Sequence, residues 1–290
     1  MDMAYHSAMD ELSFDGRVAI VTGAGGGLGR LHALDLARRG ARVVVNDVGS
    51  AVDGSGASAH AAEAVAEEIN ALGGEAIADV HSVAAPADGA AIVDTALAAF
   101  GRLDVLVNNA GILRDAAFKN ITPEMLDSVL DVHLRGAFNV TRPAWLHMLE
   151  RGYGRIIMTS SGSGLFGNFG QANYGAAKMG LVGMTRVLAI EGGRKGILVN
   201  AIAPIALTRM TAPVMGEAGT PYAPELVTPL VTYLAHERCD RNGNIYSVGA
   251  GKVSRVFIGA TAGIEDPELS AELIAKSIDA IDDVTTFTVR

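Results

Sequence analysis

The stretch "NYGAAKMG", residues 173–180, sets Tyr174 one helical turn ahead of Lys178 among small apolar residues. Side chains at i and i+4 share one helix face, so the phenol and the ammonium project side by side if the segment is helical. The bland alternative is a solvated surface pair. The chemical alternative is proton exchange with a hydroxyl: a phenol with an ordinary pKa of about 10 is a poor base near neutrality, and a neighbouring cation favours its ionised form.

A second group of residues offers a place for a charged ligand. "RVAIVT" (17–22) runs directly into "TGAGGGLG", where Gly23, Gly27, Leu28 and Gly29 precede a helical pattern. Glycines there allow a tight turn and let N–H groups at a helix start approach a pyrophosphate. The next apolar run ends in Asp47, a little over twenty residues beyond Gly23. A carboxylate at that point accepts hydrogen bonds from adenosine ribose hydroxyls and repels a 2′-phosphate. No basic residue lies within the turn, so NAD is expected as the cofactor in preference to NADP.

These residues need a frame, and the chain alternates short β-branched runs with longer alanine- and leucine-rich segments. Strands are expected at 17–22, 41–47, 75–80, 103–109, 154–160, 197–203 and near 244–248, with helices at about 28–39, 57–72, 87–100, 123–149, 172–192 and 223–235. Strands that are apolar throughout are covered on both faces, which makes this an α/β fold: a doubly wound, Rossmann-like parallel sheet of about seven strands. Ligand residues then cluster after the strands, at the carboxyl edge of the sheet.

Composition agrees with one large domain. The 290 residues are 49% apolar and 19% charged, with 35 glycines, and no proline-rich or single-sign block separates two parts. The expected organisation is a domain at 13–250, with a substrate lid at 204–222, followed by an extension at 251–290. A net charge of −9 argues against general nucleic-acid binding. No run approaches the ~20 apolar residues of a membrane span. The lone Cys239 excludes an internal disulfide and a CxxC metal site, and the first fourteen residues lack the apolar centre of a signal peptide or anchor. The expectation is a soluble, cytoplasmic protein that binds no metal, nucleic acid or membrane.

"NNAG" (108–111) after the fourth strand, Ser161 after the fifth and the S-x12-Y-x3-K spacing to Tyr174 and Lys178 complete a pattern with TGxxxGxG. Over residues 13–250 the chain resembles the short-chain dehydrogenase/reductase family. "NNAGILRD", "HLRGAF", "YGRIIMTSS" and "GNFGQANY" are similar to its (3R)-hydroxyacyl-CoA dehydrogenase branch, of which the chain reads as a free-standing member. The resemblance implies that Tyr174 is the acid/base, that Lys178 activates it and binds the nicotinamide ribose, and that Ser161 bonds the substrate oxygen. It implies cofactor contacts at Asn108, Asn109, Ala110 and Gly111, at Thr208 through the nicotinamide carboxamide, and at Val83 near the adenine. Ile205 occupies a slot where the family often has glycine, and Ser82-Val83, with Asp79 and His81 nearby, replaces its Asp-Val pair. His133 stands where most members have a catalytic asparagine; a proton-relay role and a packing role are both open.

Substrate selection is expected from an apolar lid of Leu207, Met210, Val214 and Met215, with "GNFG" (167–170) as the opposite wall. Apolar walls suit an acyl chain or a sterol. Arg114, Lys119, Arg209 and Arg255 are candidate partners for coenzyme A phosphates. The leading activity is NAD-dependent oxidation of a 3-hydroxyacyl-CoA, followed by hydroxysteroid oxidoreduction and 3-oxoacyl-carrier-protein reduction. A nucleotide-binding scaffold without turnover is the reading from a different class. By resemblance, a homodimer or homotetramer is expected through the long helices starting near Pro123 and Tyr174.

Overall fold

The structure is a computed structural model that describes residues 11–289, apart from the side chains of Pro213 and Val214. The chain divides into two compact units, one ending at Ser254 and the other beginning at Arg255.

The first unit is built on an eight-stranded sheet in the order β3-β2-β1-β4-β5-β6-β7-β8. Its strands are β1 (Val18–Thr22), β2 (Arg42–Asn46), β3 (Glu75–Asp79), β4 (Val105–Asn108), β5 (Gly154–Thr159), β6 (Ile197–Pro204), β7 (Ile245–Gly249) and β8 (Lys252–Val256). The first seven are parallel, with registers such as Val18↔Arg42 and Ala19↔Val105. The order reverses between β1 and β4, which opens a crevice at their carboxyl ends. The helices are α1 (Gly27–Arg38), α2 (His60–Ala71), α3 (Pro86–Phe100), α4 (Pro123–Leu130), α5 (Gly136–Arg151), α6 (Gly162–Phe166), α7 (Ala172–Gly192), α8 (Ala212–Met215) and α9 (Thr228–Ala235).

Both sheet faces are dry. Ala19, Val21, Val43, Val45, Val105 and Val107 share one core with Leu36 of α1, Val65 and Ile69 of α2, and Leu234 of α9. Their strand neighbours Val18, Ile20, Val44, Leu106, Ile156 and Met158 are equally buried, and α3, α5 and α7 pack on that side. Period-two alternation thus places an apolar residue on each face in turn.

Two departures from the sequence reading have physical causes. The helix expected at 123–149 is interrupted by a π-turn at Asp131–Arg135, a local widening that apolar periodicity does not register. The strand β8 is an additional one, joined to β7 by a two-residue hairpin in which Ala250 (φ 49°) and Gly251 (φ 74°) both take positive φ. Its residues are almost all exposed, so it lacks the buried alternation that marks a strand. The lid segment contains the one-turn α8 and a 3-10 turn at Gly216–Gly219.

The second unit holds β9 (Gly259–Thr261) antiparallel to β10 (Phe287–Val289), and α10 (Ala271–Ile281). Ser270 caps α10 by accepting from Leu273 N–H at 3.1 Å. Among the described residues no helix is long and apolar enough to cross a membrane.

His32 of α1 is fully buried, with Nδ1 2.9 Å from Thr228 Oγ1 on α9. Burial pushes its pKa down to about 4, partly opposed by Asp35. The folded-state value lies below that of the unfolded chain, so the stability is complete above pH ~6.5 and is lost as pH falls toward 4. Thermal or urea unfolding between pH 7 and pH 4 is expected to show a decline on the order of 3 kcal/mol that disappears from the difference in His32→Gln. Parallel pH curves for the two proteins would contradict this.

Candidate active site

The carboxyl ends of β1, β2, β4, β5 and β6 open into one cleft of about 760 Å³. At one end lies the glycine turn. Gly23 (φ 64°) abuts Ala110, whose Cα would lie 2.7 Å from any added Cβ, and a Cβ on Gly29 would overlap the carbonyl oxygen of Gly23. Asn109 fixes this packing: its Nδ2 donates to Thr22 O (3.0 Å) and Gly23 O (3.1 Å), and its own N–H donates to Thr22 Oγ1. Gly27 and Leu28 open α1 at the cleft wall, where N–H groups of the first turn are available to an anion.

Asp47 lies beside the turn. Its Oδ2 accepts from Gly25 N–H at 2.8 Å and its Oδ1 from Gly49 N–H at 2.6 Å. These bonds orient the carboxylate, and each oxygen keeps accepting capacity for a ribose hydroxyl. A Cβ on Gly25 would sit 2.9 Å from the Asp47 carboxyl carbon, so this glycine keeps the carboxylate within reach of the turn. Val83, His81 and Ser82 line the same end, whereas Asp79 is occupied by Asn46, His81 and Thr95 and does not face the cleft. Asn108 bonds Thr141 and Met158 in the core, which ties β4 to α5 and β5, while Asn109, Ala110 and Gly111 line the cleft.

Tyr174, Lys178, Ser161 and His133 converge at the other end. Thr159, the last residue of β5, and Ser160 just beyond it pin Lys178: its Nζ donates to Thr159 O at 2.6 Å, and its own carbonyl accepts from Ser160 Oγ at 2.9 Å. The Nζ is 5.5 Å from the centre of the Tyr174 ring. Burial brings the lysine pKa down to about 7. Burial likewise pushes the Tyr174 phenol up to about 12, against a lowering by the Ser161 hydroxyl. The sequence reading has Lys178 lowering the phenol; among the groups of this chain alone, desolvation dominates instead.

Ser161 also caps α6, its Oγ accepting from Ser163 N–H at 3.1 Å. The capping and the chemical readings are compatible, because the hydroxyl hydrogen is still available to an oxygen in the cleft. His133 sits in the π-turn with its ring 5.1 Å from that of Tyr174, edge to face. Its Nε2 meets Ile112 O at 2.8 Å, and its ring fills the space a Gly111 side chain would need. Burial, reinforced by the Lys178 charge, holds the imidazole well below its usual pKa and therefore neutral.

Thr208 lines the cleft, with its N–H donating to Thr211 Oγ1. Ile205 is accommodated because Gly249 of β7 leaves room: a Cβ there would lie 2.5 Å from Ile205 O. Met210 lines the cleft, but Leu207 and Met215 meet around Gly219, and the side chain of Val214 lies outside the described residues. "GNFG" is not part of the lining, and Phe169 stands 89% exposed, which corrects its placement as the opposite wall. Arg114 and Arg209 line the cleft, Lys119 does not, and Arg255 belongs to the second unit.

One wall was not read from the sequence. The strap 48–58 crosses from β2 toward the segment after β4: Leu113 N–H donates to Val52 O (2.9 Å), and Arg114 Nε to Asp53 O (2.6 Å). Its signal is the glycine-rich run "VGSAVDGSGAS", in which Gly49, Gly54 and Gly56 all take positive φ.

The fold and this cleft define a doubly wound dinucleotide-binding oxidoreductase. The chain belongs to the short chain dehydrogenase family, whose profile matches residues 17–217. It is 53% identical over 253 residues to the peroxisomal multifunctional enzyme type 2 of Mus musculus, covering 87% of this chain and 34% of that protein. It is 43% identical over 260 residues to the hydroxyacyl-CoA dehydrogenase ChsB1 of Mycobacterium tuberculosis, covering 83% and 80% of the two chains. A gluconate 5-dehydrogenase of Burkholderia cenocepacia, solved with NADP and tartrate, superposes with a TM-score of 0.75 at 30% identity, over 83% of this chain and 97% of that one. The chain spans between 27% and 59% of the length of the multifunctional relatives it matches.

The turn yields a paired prediction. Gly29→Ala forces a Cβ against Gly23 O and is expected to cost about 1–3 kcal/mol of stability. Gly26, extended at φ −175° with nothing within 4 Å of an added Cβ, should accept alanine with little change. Equal melting temperatures for the two variants would refute this packing.

Proposed function

We propose that the chain oxidises a (3R)-3-hydroxyacyl-CoA to the 3-oxoacyl thioester with NAD. The observation that carries this reading is the convergence of Tyr174, Lys178 and Ser161 at the end of the cleft opposite the glycine turn and Asp47. Bound NAD supplies the hydride acceptor. Tyr174 Oη takes the proton of the substrate hydroxyl, and the Ser161 hydroxyl donates to the same oxygen as it becomes a carbonyl. Lys178 holds the nicotinamide ribose and stabilises the phenolate.

The burial of the pair explains how a phenol near pKa 12 becomes useful. In a low-dielectric site each charge alone is costly, but opposite charges attract strongly. A protonated Lys178 and a cationic nicotinamide together bring the phenol down when cofactor is in place. His133, neutral and wedged against Gly111, acts as a brace for the Tyr174 ring rather than as a proton carrier. Asp47 favours NAD over NADP by repelling a 2′-phosphate, and Val83 and Thr208 contact the adenine and the carboxamide. Arg114 and Arg209 are the cations of the cleft that suit coenzyme A phosphates.

A hydroxysteroid in place of the acyl-CoA is the second reading, favoured by the apolar side chain of Met210 in the lining. We further infer a homodimer through α5 and α7, which expose Phe138, Leu146, Val187 and Ile190. A reducing, cytoplasmic setting rests on the single buried Cys239; the word peroxisomal belongs to the name of the mouse relative.

Initial rates followed by NADH absorbance across hydroxyacyl-CoA and hydroxysteroid substrates should give turnover on the former, with NADP a poorer cofactor than NAD. Tyr174→Phe should lower kcat at least about a hundredfold while NADH binds as before. Absence of activity on every acyl-CoA would overturn the substrate assignment, and equal or better rates with NADP the cofactor assignment.

A further inference from the structure

The chain has eight phenylalanines, and the three most exposed lie on the two segments that flank the catalytic end of the cleft. Phe118 is 82% exposed, Phe166 73% and Phe169 89%, whereas the other five range from 1% to 53%. Rings so far in water contribute almost nothing to stability by burial. A single exposed apolar side chain needs no explanation, but several large ones in one place mark a contact surface.

Hydrogen bonds join the two segments. Ala116 N–H donates to Gly170 O at 2.9 Å, which sets the backbone of Phe169 one residue, and that of Phe118 two residues, from the same bond. Gln171 Nε2 donates to Asp115 Oδ2 at 2.7 Å, while Gln171 Oε1 accepts from Ser163 Oγ (2.7 Å) and Asn168 Nδ2 (3.0 Å). Phe166 closes α6, the helix that Ser161 caps. The same frame reaches the catalytic residues: Asn173, next to Tyr174, donates to Arg114 O at 2.9 Å, and Ser163 N–H donates to Ser161 Oγ. The three phenylalanines therefore border the catalytic end while standing outside the lining of the cleft.

We propose that Phe118, Phe166 and Phe169 form an apolar shelf that receives the distal part of a long acyl chain and so sets the chain-length preference. The proposal rests on reading the substrate as a 3-hydroxyacyl-CoA. Oxidation fixes the carbinol carbon at Tyr174 and Ser161, and two unlike arms leave that point. The thioester arm carries phosphates suited to Arg114 and Arg209; the hydrocarbon arm needs an apolar surface of its own. A cleft of about 760 Å³ is of the size that one ligand fills. With a dinucleotide in it, a long hydrocarbon continues past the mouth, where each methylene left in water is unfavourable unless a surface covers it. The shelf is the apolar surface joined to that end.

The test compares the double variant Phe118→Ser/Phe169→Ser with Leu72→Ser on (3R)-3-hydroxybutyryl-CoA and (3R)-3-hydroxyhexadecanoyl-CoA. Leu72, 75% exposed at the end of α2 and absent from the cleft lining, controls for the loss of apolar surface elsewhere. In the double variant the ratio of kcat/KM, long chain over short, is expected to fall about tenfold through a raised KM, because a surface that covers the chain equally before and during reaction acts on binding. Leu72→Ser is expected to keep the wild-type ratio. An unchanged ratio in the double variant overturns the shelf, and a smaller assembly on gel filtration in that case assigns the patch to an interface between copies of the chain. An equal fall on both substrates also overturns it, since the two segments would then serve only to support Tyr174. A wild-type chain without turnover on either thioester would instead remove the acyl-CoA reading, and the shelf with it.

Discussion

A parallel sheet covered on both faces leaves polar chemistry one place to go. Val18, Ile20, Val44 and Val107 are all completely buried, so β1, β2 and β4 present no charge from their middles. Backbone hydrogen bonds are satisfied by the strand ladder, and functional groups collect where the ladder ends. The reversal of strand order between β1 and β4 separates the loops that follow them, and the cleft occupies that gap. Its two ends then differ in kind. One offers backbone N–H groups and a carboxylate fixed by Gly25 and Gly49; the other offers a phenol, an amine and a hydroxyl.

Burial is what gives the second end its character. Tyr174 and Lys178 are shifted in opposite directions, the phenol up to about 12 and the amine down to about 7, and desolvation is the leading cause of both. Both shifts favour neutral forms. A site of this kind responds strongly to an added charge, because water does not screen it. The glycines around it serve this closeness: Gly111 admits the His133 ring, and Gly164 admits the backbone of α7 beside Lys178.

Much of this was legible in the sequence for reasons of periodicity. Strands apolar at every position and glycines between a strand and a helix are signals within one short window, and the expected strands lie within about two residues of those observed. Tyr174, Lys178 and Ser161 were readable from spacing because two of them share a helix turn and the third follows a strand. What escaped depends on contacts between distant segments. The strap 48–58 looks like an ordinary glycine-rich connection until Leu113 and Arg114 are seen to bond it. The π-turn that aims His133 leaves the helical pattern intact in one dimension. "GNFG" lies in sequence between Ser161 and Tyr174, yet its phenylalanine is exposed and is not among the residues that line the cleft, since chain proximity does not fix where a side chain packs.

The central claim is that a buried phenol becomes the base of an alcohol oxidation because positive charge is brought beside it. The most direct measurement is the pH dependence of kcat/KM for 3-hydroxyacyl-CoA at saturating NAD, compared between the wild-type chain and Lys178→Met. The account predicts a wild-type acidic limb with an apparent pKa well below the ordinary phenol value of about 10, displaced upward by more than about one unit when the lysine charge is removed. A limb that stays in place in Lys178→Met would contradict it.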